Sequence, residues 1–193
     1  NNEIKSIKTK VSSWSLFSLA PRTKVTFGNA MLAGPEGKFT LEISAKELVL
    51  TEVEVFVSAN DIAKQLPLPI PISAQGNVEL NLDTIVLTIA EKLSCLQAKG
   101  DVSWLRAGAS ALEQNIKLGK FNVGIICAEG NILAMVNPNN DLGLSFDGVL
   151  ALPAKKLSGK GYLTPGDKFP VQLKSALSFL GRADNQGRYR LSF

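Results

Sequence analysis

Apolar residues at every second position are the feature of this sequence that most limits its fold. Val78, Leu80 and Leu82 alternate with the polar residues between Asn77 and Asp83. Because successive side chains of a strand point to opposite faces, this period predicts strands with one apolar and one solvated face. The same period recurs in six further segments, at residues 39–43, 53–57, 116–118, 121–125, 142–146 and 189–193.

Short turn-forming segments separate these runs. Residues 34–37 read Gly-Pro-Glu-Gly, and residues 137–140 read Asn-Pro-Asn-Asn. Such connections are too short for helical crossovers, so neighbouring strands are predicted to be antiparallel. Residues 67–72 alternate proline with aliphatic residues and predict an extended segment at a sheet edge. The sequence therefore predicts an all-β domain over residues 1–193: a curved, mainly antiparallel sheet, as a meander, half-barrel or trough, with one or two short helices.

Two segments are predicted to form short helices that cover the sheet. The first spans residues 60–66 and is ended by a proline, and the second spans residues 169–180 and is ended by a glycine. Leu173, Leu177 and Leu180 recur at spacings of four and three, which places them on one helical face. They are predicted to pack inward against one end of the sheet.

A weak internal repeat relates the two halves of the chain at an offset of roughly 90 residues. Val11-Ser-Ser-Trp in the first half corresponds to Val102-Ser-Trp in the second, and residues 24–28 correspond to residues 115–119. The sheet is therefore predicted to consist of two similar halves, at about residues 11–98 and 102–193.

The chemistry of most common enzyme classes is missing from the sequence. It contains no histidine, which excludes His-based nucleophile sites, His-ligated zinc and His general bases. None of the three Gly-Lys pairs continues into the Ser or Thr of a phosphate-binding loop. Glu52 and Glu54 share a strand face, and we interpret them as a solvated strand edge rather than a catalytic pair. The sequence thus predicts no catalytic residues, no metal, no cofactor and no enzyme, and it lacks the aromatic-basic interleaving of nucleic-acid binding.

The two cysteines, Cys95 and Cys127, lie 32 positions apart in apolar surroundings. This spacing fits neither a CxxC redox pair nor, without histidine, a zinc site. The residues alone leave two alternatives open, a pair of buried thiols in a reducing compartment or a disulfide in an oxidising one.

The positive charge is concentrated at the N-terminus. Lys5, Lys8 and Lys10 lie within the first ten residues, in a chain whose net charge is +4. One interpretation is a solvated edge strand protected by lysines. The other is a membrane-proximal basic surface that faces anionic lipid head groups.

Several motifs in the second half resemble one family. Gly100-Asp-Val-Ser-Trp104 is followed by Leu112-Glu-Gln-Asn-Ile-Lys-Leu-Gly119, then by Cys127-Ala-Glu-Gly-Asn131 and Gly161-Tyr-Leu-Thr-Pro165. In this order and spacing they resemble the general secretion pathway protein N family of bacterial type II secretion systems. The resemblance covers about residues 93–193 well and the first half more loosely.

The resemblance implies an inner-membrane protein with one membrane helix and a periplasmic β-rich domain. This chain would then be the periplasmic domain of a single-pass inner-membrane protein, without its N-terminal anchor. An oxidising periplasm favours a disulfide between Cys95 and Cys127, joining neighbouring strands or a strand and a loop.

The resemblance further implies a non-enzymatic accessory component of the secretion machinery. We expect a scaffold that binds other inner-membrane or periplasmic secretion components through sheet edges or a sheet face. The alternative is a periplasmic lipid-binding or lipid-transfer module in which the sheet forms a trough with an apolar face. An apolar face left open would favour the lipid.

Overall fold

One antiparallel sheet of eleven strands makes up most of the described structure. The computed structural model describes residues 6–11, 21–28, 34–65, 73–111 and 114–192. Each strand pairs with its neighbour in sequence, from the first to the eleventh, and each pairing is antiparallel. The predicted all-β antiparallel meander is thereby confirmed. The strands are β1 (Ile7–Val11), β2 (Arg22–Phe27), β3 (Glu36–Ile43), β4 (Glu47–Ser58), β5 (Ser73–Thr88), β6 (Ser94–Ala111), β7 (Gln114–Ala128), β8 (Asn131–Val136), β9 (Leu144–Ala151), β10 (Lys156–Leu163) and β11 (Tyr189–Ser192).

Irregularities in the central strands change which residues share a face. The register between β3 and β4 shifts between Lys38 and Thr40, opposite Glu52, whose φ is 52°. The register between β5 and β6 shifts after Leu82. Leu82 and Ile85 are three positions apart, which in a regular strand would put them on opposite faces. They lie in one hydrophobic cluster because the shift reverses the alternation.

The best-buried hydrophobic cluster surrounds the predicted disulfide. Cys95 on β6 is bonded to Cys127 on β7, with 5.5 Å between their Cα atoms. Cys95 is 4% exposed, and it clusters with Val53, Leu82 and Ile85. The bridge therefore joins neighbouring strands within the core, as predicted.

The helical segments are shorter than predicted. Helix α1 (Ala59–Ala63) follows β4, and its Asp61 forms a salt bridge with Lys64 at 3.5 Å. The end predicted for this helix and the proline-rich segment at 67–72 lie outside the described residues.

The predicted C-terminal α-helix is wrong in type. Two short 3-10 helices occupy this region, Val171–Leu173 and Ser175–Leu180, and Gly181 ends the second with a φ of 88°. Leu173 lies in the first of these helices and Leu177 and Leu180 lie in the second, so the three leucines do not share one continuous helical face. Leu173 and Leu177 are half-buried, whereas Leu180 is 39% exposed and not inward as predicted. Phe169, just before these helices, is the residue that is buried.

The described part of the chain contains no helix with the length and hydropathy of a membrane span.

Candidate binding surfaces

The sheet has two chemically distinct faces, which the strand pairings define across its whole width. Directly paired residues lie on the same face, so a chain of pairings traces one row of side chains. One such row, which we call the apolar row, crosses all eleven strands with nine apolar side chains and two glycines. Its members are Ile7, Phe27, Gly37, Val55, Leu80, Val102, Val123, Val136, Phe146, Gly161 and Leu191.

Aromatic rings fill the space at the two glycines of the apolar row. A Cβ atom at Gly37 would meet the Phe27 ring of the next strand, and one at Gly161 would meet Phe146. The Phe146 ring also extends over Gly159. Large rings on one strand thus cover bare backbone on its neighbour, which keeps the apolar row continuous.

The apolar row is not covered by a second layer of the described structure. In a two-layer β-sandwich, the facing side chains would be buried. Here eight of the nine apolar side chains are half-buried, and Ile7 is 62% exposed. The main contacts of each strand are with its sheet neighbours, and α1 makes its main contacts with β4 and β5. This face therefore presents a continuous apolar surface whose ordinary partner would be another apolar group.

The opposite face carries charged residues of the central strands, and two of its carboxylates are in ion pairs with lysines. Glu54 bonds to Lys38 at 3.0 Å, and Asp83 bonds to Lys99 at 3.0 Å. Glu52 accepts a hydrogen bond from the Thr40 hydroxyl at 3.4 Å. A cleft of about 550 Å³ on this face is lined by Lys38, Thr40, Glu52, Glu54 and Asp83, among others. Strand β4 lies inside the sheet, so Glu52 and Glu54 belong to a solvated face and not to the strand edge proposed from the sequence.

Across β7 to β9 the polar face becomes apolar, which the sequence did not predict. Ile126, Leu133 and Val149 are paired in succession, and Ile126 and the nearby Met135 are exposed by 38% and 36%. Strand β8 reads Asn-Ile-Leu-Ala-Met-Val, without polar alternation. This absence of alternation is the sequence signal of a strand that is apolar on both faces.

The described residues offer no constellation for metal or nucleophilic chemistry. They contain no group of three or more Cys, Asp or Glu placed to hold a metal ion, and their two cysteines are bonded to each other. Their buried side-chain polar atoms all have a hydrogen-bond partner.

The Asp184 carboxylate is held by hydrogen bonds to the loop that precedes β11. The backbone N–H of Arg188 donates to Asp184 Oδ1 at 3.0 Å, and Arg188 Nε donates to Oδ2 at 2.9 Å. These bonds lower the pKa of the exposed Asp184 carboxyl. The Arg188 guanidinium lies 4.3 Å from the centroid of the Tyr162 ring, so the pair holds the loop before β11 against β10.

Two of the three predicted basic residues lie on the first edge strand. Lys8 and Lys10 are exposed on β1, on the polar face, whereas Lys5 lies outside the described residues. Lys10 is paired directly with Lys24 of β2, which the sequence analysis did not single out as a partner. The membrane-proximal role of Lys5, Lys8 and Lys10 stays a prediction.

Comparison with known proteins gives a consistent result. A family model described as type II secretion system (T2SS), protein N, matches residues 1–192. A protein of Aeromonas hydrophila named type II secretion system protein N is similar to this chain. The two are 23% identical, and the alignment covers 97% of this chain and 73% of the relative. The protein of the same name from Vibrio cholerae is 25% identical, over 86% of this chain and 64% of the relative. The one from Pectobacterium carotovorum is 26% identical, over 72% of this chain and 55% of the relative.

The match thus spans between about half and three quarters of the length of these relatives. No solved structure matches the chain.

Proposed function

Because this chain belongs to the type II secretion system protein N family, we propose that it acts in the periplasm as a non-enzymatic component of that machinery. In this proposal it binds other inner-membrane or periplasmic components of the secretion system and holds them together. The observation that carries the proposal is the exposed, two-faced sheet: it offers large surfaces and no reactive centre among the described residues.

The periplasmic location is supported by the disulfide. The bond between Cys95 and Cys127 lies in the core of the sheet, and such bonds form and persist in oxidising compartments such as the periplasm. The non-enzymatic role is supported by the ion pairing of the polar face, since Glu54 and Asp83 each bond to a lysine in an exposed position.

Two further parts of the proposal stay predictions. One is that residues 1–193 form a single periplasmic domain. The other is that its halves, at about 11–98 and 102–193, are related by an internal repeat.

Site-specific photo-crosslinking in bacteria that carry the secretion machinery tests which face is used. Leu80 and Asn81 are neighbours on β5 whose side chains point to opposite faces, so they form a matched pair of probe positions. If the chain is a scaffold, we expect protein adducts with other secretion components from at least one position. These adducts should disappear when the genes of the component are deleted. Absence of such adducts from both positions, and from the edge position Ile7, would contradict the scaffold.

The continuous apolar row favours a second candidate function, the binding of lipid. Eleven strands at about 4.8 Å spacing make a row roughly 48 Å long, which exceeds the length of one extended acyl chain. Burying hydrocarbon on it would remove about 25 cal/mol of unfavourable solvent contact per Å². The bound molecule in this candidate is an acyl lipid lying across the strands, and Leu80 would give lipid adducts while Asn81 would not.

We expect protein purified without detergent to carry co-purifying lipid in native mass spectrometry if this second function is correct. Leu80→Glu places a charge in the middle of the apolar row and should remove most of the bound lipid, because burying an unpaired carboxylate against hydrocarbon is costly. Asn81→Glu, with the new carboxylate on the polar face, is the matched control and should retain the lipid. Lipid-free parent protein, or equal lipid in both variants, would reject the lipid-binding function.

A further inference from the structure

Among the described residues, the outer edge of β1 pairs with no other strand, and the backbone groups that point outward can be identified. The Gly28 N–H donates to the Ser6 carbonyl at 3.0 Å, and β1 and β2 continue from there without a register shift. In an antiparallel ladder, bonded pairs alternate with non-bonded pairs. Lys8 and Lys10 therefore bond to β2, while Ile7 and Thr9 direct their N–H and C=O groups outward. In the described structure no strand pairs with that side of β1.

The first two strands carry four basic residues, of which Arg22 forms a salt bridge with Glu42 of β3 at 2.8 Å. Neither β1 nor β2 contains an acidic residue, and Lys10 is paired directly with Lys24 on the polar face. Like charges directly opposite each other destabilise a sheet. Lys8, Lys10 and Lys24 are exposed, and none of them forms an ion pair with a described residue.

Protection against aggregation explains only part of this arrangement. Lysines on an edge strand deter unwanted pairing, and Lys8 and Lys10 would suffice for that. Lys24 lies on the second strand, so it cannot deter pairing at the edge, and it is placed directly across from Lys10. Three exposed lysines that form no salt bridge with a described residue thus lie on the two strands at this edge, beside the outward backbone groups of β1. They are complementary to an extended segment with acidic side chains on one face.

We propose that the β1 edge binds an extended segment of a partner protein in which acidic and apolar residues alternate. The segment adds to the sheet as a further strand and bonds to the outward backbone groups of Ile7 and Thr9. Its acidic side chains lie beside Lys8 and Lys10, and its apolar side chains extend the apolar row next to Ile7. The inference rests on the proposed function, since it names the kind of partner that such a binding component accepts.

A short synthetic peptide of alternating valine and glutamate is the probe, with fluorescence anisotropy as the measurement. We expect it to bind the full chain, and a peptide of alternating valine and lysine not to bind. Lys8→Glu with Lys10→Glu should weaken binding at least about tenfold, because two attractive cross-strand pairs become repulsive. The control, Lys168→Glu with Lys174→Glu, makes the same change of charge at exposed positions away from β1 and should leave binding unchanged.

Thr9→Pro separates strand addition from simple charge attraction. Proline removes the outward N–H of Thr9 and leaves the bonds of Lys8 and Lys10 to β2 in place, so it should weaken peptide binding by about tenfold or more. Circular dichroism and the thermal midpoint check the fold. If Thr9→Pro is unfolded, Ile7→Pro, which removes the outward N–H at the start of the strand, takes its place.

Three results would overturn the inference. The first is that the valine-glutamate peptide does not bind even at a concentration of about 1 mM, where a low-affinity interaction would still be detected. The second is undiminished binding by the proline variant, which would make the lysines a charge patch without strand addition. The third is lysine-dependent binding to phosphatidylglycerol vesicles without binding of the peptide. Each leaves the photo-crosslinking test of the proposed function unaffected, so the two can fail separately.

Discussion

Replacing both cysteines, as Cys95→Ala with Cys127→Ala, should lower the free energy of unfolding by about 3 to 4 kcal/mol. In the chain-entropy model, a bond that closes a loop over a separation of 32 residues restricts the unfolded chain by this amount. Cys95 is also 4% exposed within the hydrophobic cluster, so the smaller alanine loses packing in addition. The effect is a large fraction of the roughly 5 to 15 kcal/mol typical of a domain.

Urea denaturation followed by circular dichroism measures this loss. The parent protein under reducing conditions should approach the stability of the double variant, and the double variant itself should not respond to reductant. A loss below about 1 kcal/mol would show that the bridge does not restrain the unfolded chain in the expected way. The dependence of the unfolding free energy on urea concentration must be compared between the parent and the double variant. Without the bridge the unfolded chain is more expanded, which makes this dependence steeper and lowers the midpoint concentration of urea.

Leu82→Ala should destabilise the protein by about 2 to 5 kcal/mol, the usual range for a buried leucine. Leu82 is 9% exposed, is paired with Val53 and Gly100, and belongs to the cluster around the disulfide. A Cβ atom at Gly100 would collide with the backbone of Asn81 and Leu82, so the two strands are in close contact here. This close packing leaves little room for the surroundings to collapse into the cavity, which favours the upper part of the range.

Leu157→Ala is the matched control for that experiment. Leu157 lies on β10 and is 59% exposed, so the same truncation should cost less than about 0.5 kcal/mol. Equal losses in the two variants would mean that the apolar face is packed evenly from the centre to the edge. A small loss for Leu82→Ala would contradict a core centred on the disulfide.

The main features of the sheet were predictable because they are local properties of the chain. Alternation such as Val78, Leu80 and Leu82 determines which face of a strand is apolar, and a four-residue turn leaves an antiparallel neighbour as the simple outcome. Strand β8 was missed for the converse reason. It is apolar on both faces, and a short apolar run cannot be assigned by period alone.

The pairing of the cysteines was not derivable from spacing. The sequence left buried thiols and a disulfide as alternatives, and the family resemblance favoured the bond. The tertiary structure brings Cys95 and Cys127 together because β6 and β7 are antiparallel neighbours. The predicted C-terminal α-helix was wrong for a different reason. Its leucine spacing suits an α-helix, but a segment this short depends on tertiary packing for its stability, and the packing here is shallow.

The sequence by itself determined the strand character of most segments, the antiparallel order and the lack of a histidine-based site, since these depend on residues close together in the chain. Only the tertiary structure decided the register. Register places Lys10 opposite Lys24, brings Leu82 and Ile85 into one cluster past an irregular pairing, and joins nine apolar side chains from Ile7 to Leu191 into one row. A shift of one residue would move each of these side chains to the other face. The binding surfaces thus depend on pairings between distant strands, which no local pattern encodes.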